Sequence, residues 1–168
     1  MTTEENKKIS RRVYEIFSSD NLDALDEMLD RNFIDHYPQP GQGPGIDGVK
    51  QMLASLRKAF PDLQWIVKDM VAEDDKVVAR LNVAGTHQGM YKGIPATGEQ
   101  ASIPLINIFR IADGKVVERW GVEDQLSLMQ QLGSAASSGL ARFGKAALAV
   151  ALPAALVWAW RNDKLPWS

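Results

Sequence analysis

The chain has 168 residues, of which 45% are hydrophobic and 24% charged, with a net charge of -2 and no cysteine. That length and balance suit one globular domain with a real core plus an appendage. No basic stripe points to nucleic acid, and the lack of cysteine excludes disulfides, thiol catalysis and cysteine-ligated metals. The polar start MTTEENKKIS is no secretory signal, so a cytoplasmic location is expected.

The composition changes near Gly133, which divides an α+β domain, residues 1–133, from a tail, residues 134–168. Ile9, Val13, Ile16 and Phe17 fall near a 3.6-residue period and predict a helix from Glu4 to Phe17. Asp20 or Asn21 caps a second helix, Leu22 to Leu29. The segment PQPGQGPG, residues 38–45, is too interrupted by proline and glycine for regular structure. A third helix runs from Ile46 to Phe60, with Asp47 in its first turn where the helix dipole favours an acid.

After Pro61-Asp62 the period changes to two. Strands are expected at Leu63–Val71, Lys76–His87, Gln100–Ile111 and Lys115–Val122, and Asp113-Gly114 between the last two is a hairpin signal. A short helix, Gln125 to Leu132, closes the domain. Helices followed by antiparallel strands imply helices packed on one face of a curved sheet.

The stretch from Ile106 to Gly133 holds the first candidate for chemistry, Asp124, where strand becomes helix. On strict alternation Val116, Glu118, Trp120 and Val122 share a face, and Asp124 continues it. A carboxyl group among apolar and aromatic side chains is poorly solvated, stays partly protonated and can move protons. Asp124 also suits plain capping of the helix that follows, and the two roles are compatible.

His36 and His87 are the only histidines, and both stand at element ends, where pocket rims form. With Asp35 or Asp124 they could share a metal, but no HxH or HExxH spacing supports one, so no metal is expected. They suit hydrogen bonding to a polarised carbonyl or enolate, and His87 also suits a plain structural bond. Tyr14, Phe33, Trp65 and Trp120 could line a pocket or simply fill the core. Arg80 and Arg110 lie inside strands, where arginine ordinarily faces water. Asn107 and Arg110 have opposite parity, so at most one faces a cavity.

The stretches FIDHYPQPGQGPGIDGVK, AFPDL, AEDDKVVARLNVAGTHQGMYKGIPATG and FRIADGKVVERWGVEDQLSLMQQLG together resemble the SnoaL-like polyketide cyclase family, which includes predicted ester cyclases and belongs to the NTF2-like superfamily. The resemblance runs from about residue 5 to 133. It implies an NTF2-like cone, a curved antiparallel sheet packed on three N-terminal helices around a deep apolar pocket. It also implies an enzyme that closes a ring by intramolecular aldol reaction on a polyketide-like ester, or a related isomerase, with no metal or cofactor. Asp124 then matches the general acid/base, His36 and His87 rank second, and Trp120, Tyr14, Phe33, Trp65 and Asn107 are substrate-binding candidates. One departure is Arg119-Trp120, where many relatives have His-Trp. It is neutral if position 119 points outward and counts against aldol activity if that histidine helps catalysis.

The tail carries fifteen uncharged, nearly all apolar residues, Ala146 to Trp160, between Lys145 and Arg161. As a helix they span only ~22 Å, short of a ~30 Å hydrocarbon core. Starting at Gly139 lengthens the run but includes Arg142 and Lys145, which could snorkel. Three readings stand: a membrane anchor or interfacial helix, a helix buried in a partner through residues 139–160, and a helix folded back on its own domain. The competing function is a non-catalytic ligand-binding or scaffolding domain tethered by this tail. A one-sided sheet commonly buries its other face against a copy, so a homodimer is expected as well.

Overall fold

A computed structural model describes residues 1–133, and the expectations for the tail lie outside the described residues. Helix α1, Thr3–Phe17, opens with a capping box in which the Thr2 hydroxyl accepts the Glu5 N–H and the Glu5 carboxylate reaches back to the Thr2 N–H. A 3₁₀ turn, Leu22–Ala24, leads into the single-turn helix α2, Leu25–Met28, and then strand β1, Leu29–Asp35. Helix α3 is Gly45–Ala59. Strands β2, Gln64–Glu73, β3, Lys76–Thr86, β4, Gln100–Ala112, and β5, Lys115–Glu123, follow, and residues 125–133 form helix α4.

The five strands form one sheet in the order β1-β5-β4-β3-β2. All pairs are antiparallel except β1 on β5. The expected α+β architecture is present, with two corrections in one place. The second helix stops at Met28 instead of Leu29, and a fifth strand follows it. Leu29 and Phe33, the buried residues of β1, are spaced like neighbours on a helix, and the register of β1 on β5 breaks between Leu29 and Ile34. A strand without alternation leaves no period of two to read.

The hairpin expected at Asp113-Gly114 forms, and both residues have positive φ (49° and 79°), as a type I′ turn requires. β3 and β4 pair without interruption from Lys76–Arg110 to Thr86–Gln100. β2 and β5 each carry one extra residue. The β2 register slips between Val67 and Asp69, and the β5 register slips so that Ile111 pairs with Val116 but Arg110 with Glu118. Each bulge bends its strand and exchanges the faces of the residues beyond it.

The concave face packs on α1 and α3. Val13, Tyr14, Ile16 and Phe17 of α1 meet Val49 and Leu53 of α3 and the inward residues Val77, Ala79, Leu81, Leu105, Phe109, Ile111 and Val116. A second cluster gathers Phe60, Leu63, Tyr91, Ala101, Ile103, Leu128 and Leu132. The convex face keeps Ile34, Ile66, Ile106 and Val122 exposed. Among the described residues, no helix is long and apolar enough to cross a membrane.

Two loops bound the open end of the cone. The first, residues 38–45, is irregular as expected and folds back on α3, where a Cβ on Gly48 would overlap the Gly43 carbonyl. The second, residues 88–99, is pinned at its base. The Gln88 and Gly89 N–H groups donate to the Ala59 carbonyl, and the His87 N–H donates to the Glu99 carbonyl. The His87 ring is fully buried, bonds the Thr97 hydroxyl through Nδ1 at 3.1 Å and stacks on Phe60 at 5.1 Å.

Gly48→Ala forces the first loop off the helix and should cost about 1–3 kcal/mol in urea denaturation; a loss below about 0.5 kcal/mol would show that the contact yields freely. Burial pushes the His87 pKa below its ordinary value. The unfolded chain therefore binds the proton first, and the folded state loses stability as pH falls below about 6.5. The stability difference between wild type and His87→Gln should shrink from pH 7 to pH 5, and a constant difference would contradict this.

Candidate active site

The interior of the cone holds an apolar cavity that is partly open to solvent. Its walls include Phe17, Phe33, Leu56, Phe60, Trp65, Ile103, Leu105 and Phe109. The polar lining comes from Asp35, Gln39, Tyr91, Asn107, Arg119, Glu123 and Gln125. Such a mostly apolar cleft with a few convergent polar groups is the usual form of a small-molecule site.

The β5 bulge decides which of these groups face inward. An unbroken hairpin would turn Glu118, Trp120 and Val122 to the core. With one residue inserted at Val117, Arg119 pairs with inward Phe109, Gly121 with inward Asn107 and Glu123 with inward Leu105. Trp120 goes to the convex face and stacks on His36 at 4.4 Å with the rings nearly parallel. His36 Nε2 bonds Glu118 at 2.7 Å, and Arg110 bonds the same carboxylate. Those bonds, His36 first, hold the Glu118 carboxyl below its usual range.

The same slip places Asp124. It is exposed, does not line the cavity, and its Oδ1 accepts the Ser127 N–H at 2.9 Å as the N-cap of α4. The parity that would have brought Asp124 and Trp120 inward together is thus corrected for both. His36 lies on the convex face and His87 behind Phe60, so the two histidines, Asp124 and the cavity are not brought together. Among the described residues, no cluster of three or more His, Asp or Glu could hold a metal.

Phe33, Trp65 and Asn107 line the cavity, and Phe33 is also part of the core. Tyr14 does not: its ring stacks on Phe109 at 5.3 Å from the core side, and burial drives its pKa up against the opposing effect of Asn107.

Two polar clusters stand inside the cavity. In the first, Arg119 Nη1 donates to both oxygens of Asp35 at 3.1 and 2.9 Å, and Nε donates to Asn107 Oδ1 at 3.1 Å. Gln42 also donates to Asp35, at 3.1 Å. The pair is nearly buried, with 7% of the Asp35 side chain and 14% of Arg119 exposed. In the second cluster the side-chain amides of Gln39 and Gln125 both donate to Glu123 Oε1. Lys92 Nζ bonds Gln125 Oε1 at 2.9 Å, and the Tyr91 hydroxyl donates to the same oxygen. Glu123 Oε2 has no hydrogen-bond partner among the described residues. The arrangement therefore offers one carboxylate committed to a cation and one bound only by neutral donors.

Glu123, Gln39 and Gln125 were not among the sequence candidates, Asp35 was weighed only as a metal ligand, and Arg119 only as a departure from the family pattern. Asp35 and Gln39 sit in a strand and a loop whose facing no periodicity reveals, and Arg119 and Glu123 are hidden by the bulge.

Comparison with known proteins gives the family and the fold. Residues 7–132 match the SnoaL-like polyketide cyclase family. The chain is 29% identical over 130 residues to the aklanonic acid methyl ester cyclase DauD of Streptomyces sp. (strain C5), covering 73% of this chain and 78% of that one. It is 28% identical to the cyclase of the same name, DnrD, of Streptomyces peucetius, covering 73% and 87%. Its fold superposes on TsrD from Streptomyces laurentii with a TM-score of 0.72 and 30% identity, covering 79% of this chain and 98% of that one. The chain belongs to the SnoaL-like polyketide cyclase family and is of the cyclase enzyme type, built on the NTF2-like cone.

Proposed function

We propose that the cavity folds a flexible, mostly apolar carbonyl compound and that Glu123 moves the proton in an intramolecular aldol cyclisation. The observation that carries this reading is the free Oε2 of Glu123 in the cavity lining, with both neutral amide donors on Oε1. Asp35 is less suited, because Arg119 holds both of its oxygens.

Glu123 Oε2 takes a proton from a carbon flanked by carbonyls, and the C–H electrons pass into an enolate. The enolate carbon bonds to a second carbonyl carbon of the same molecule, and the C=O π pair becomes an alkoxide. The alkoxide then recovers the proton from Glu123, so the ring closes with no net gain or loss of atoms or electrons. The apolar walls supply the proximity that makes this intramolecular step fast. Returning the proton to a different atom without ring closure would make the same site an isomerase. The reading includes a homodimer through the convex face, where Ile34, Ile66, Ile106 and Val122 remain exposed.

Aklanonic acid methyl ester, the substrate in the names of the two cyclase relatives, is the first compound to test. Glu123→Gln should lower kcat by about 10²–10⁴-fold with the circular dichroism spectrum unchanged. Asp124→Ala should keep most of the turnover and lose only its cap, about 0.5–2 kcal/mol of stability. Full turnover in Glu123→Gln, or its loss in Asp124→Ala, would reverse the two assignments.

A further inference from the structure

We infer that Arg119 and Gly121 act as a unit that presents a fixed hydrogen-bond donor, Arg119 Nη2, to a neutral carbonyl oxygen of the bound molecule. Gly121 pairs with Asn107 across β4 and β5, and both positions face the cavity side of the sheet. The Arg119 side chain folds along its own strand and lies over Gly121. A Cβ at position 121 would stand 2.8 Å from Arg119 Cζ and would overlap both Nη2 and Asn107 Oδ1. Only a residue without a side chain leaves room for the guanidinium there.

The guanidinium is fixed on two of its three nitrogens, Nη1 by Asp35 and Nε by Asn107. Nη2 makes no hydrogen bond to the protein among the described residues. A donor left open beside an apolar cavity is matched by a ligand acceptor, because an unpaired polar group there costs free energy. The charges say which kind. Asp35 neutralises Arg119, and Glu123 adds a negative charge to the same lining, so an anionic ligand gains little. A neutral ketone or ester oxygen suits the site, and one that gains negative charge as an enolate forms suits it better.

This assignment rests on the carbonyl chemistry proposed above for the same site, and its test reads binding instead of turnover. The probe is 2-acetylnaphthalene, whose ketone can accept but not donate. Its control is 2-isopropenylnaphthalene, of the same shape with no acceptor. Wild type should bind the ketone roughly tenfold more tightly than the hydrocarbon. In Gly121→Ala, which displaces the guanidinium without changing any charge, that ratio should fall close to one while the hydrocarbon's Kd stays the same. Arg119→Gln should behave alike, and the infrared carbonyl stretch of the bound ketone should lose its red shift in both variants.

Glu123→Gln should keep the ratio. Turnover surviving in that variant would overturn the acid/base reading and leave the donor assignment standing. No ketone preference in wild type, a preference that survives Gly121→Ala, or equal weakening of both probes would overturn the donor assignment.

Discussion

One inserted residue in β5 governs what the cavity contains. Ile111 pairs with Val116 and Arg110 with Glu118, so Val117 has no partner of its own on β4. Side chains alternate strictly along a strand, and a slip of one exchanges every face beyond it. Val116 therefore still faces the core, while Arg119, Gly121 and Glu123 turn inward and Glu118, Trp120 and Val122 turn out. Without the slip, the interior would receive Glu118 and Trp120, and the paired ions on the convex face would have no counterpart. The β2 bulge at Lys68 acts in the same sense, keeping Met70 and Ala72 against the helices after Trp65 and Val67.

The inward turn of Arg119 is sustained by Asp35. That pair joins β5 to the end of β1, with Asn107 of β4 as a third member. Removing one partner of a nearly buried pair leaves the other charge uncompensated and typically costs about 3–5 kcal/mol. Gln42 ties the 38–45 loop to the same aspartate, and Gln39 ties that loop to Glu123. The loop that bounds the open end is thus built into both polar clusters. Gly48, which lets the loop lie close on α3, contributes to the site without touching it.

The sheet hairpins, the first and third helices and the irregular 38–45 loop were legible because each had a local cause: a period, a cap, or proline and glycine in number. The family, and through it the cone, was legible from motifs spread over residues 5–133. β1 was not, since Leu29 and Phe33 imitate a helical spacing and its register on β5 is broken. The facing of Asn107 was legible because its strand alternates without fault, whereas for Phe33 and Trp65 pocket wall and core filler could not be told apart by pattern. Trp120 and Asp124 were misplaced by counting through the bulge, for which the run Val-Val-Glu-Arg-Trp-Gly carries no mark. The plain alternative already weighed for Asp124, a helix cap, is the role its geometry supports. Arg119, the visible departure from the family pattern, points inward, so the departure is not a neutral surface change: it lines the cavity and pairs with Asp35 there.

The inward set on β5 is best tested by where a bound molecule lies. Intermolecular nuclear Overhauser effects from 2-acetylnaphthalene to the protein should reach the Gly121 Hα, the Ile103 methyls and the Glu123 Hγ protons, and should be absent from the Trp120 ring and the Asp124 Hβ protons. Contacts to Trp120 or Asp124, with none to Gly121, would mean that β5 presents its other face to the cavity and would contradict the assignment of Arg119 and Glu123.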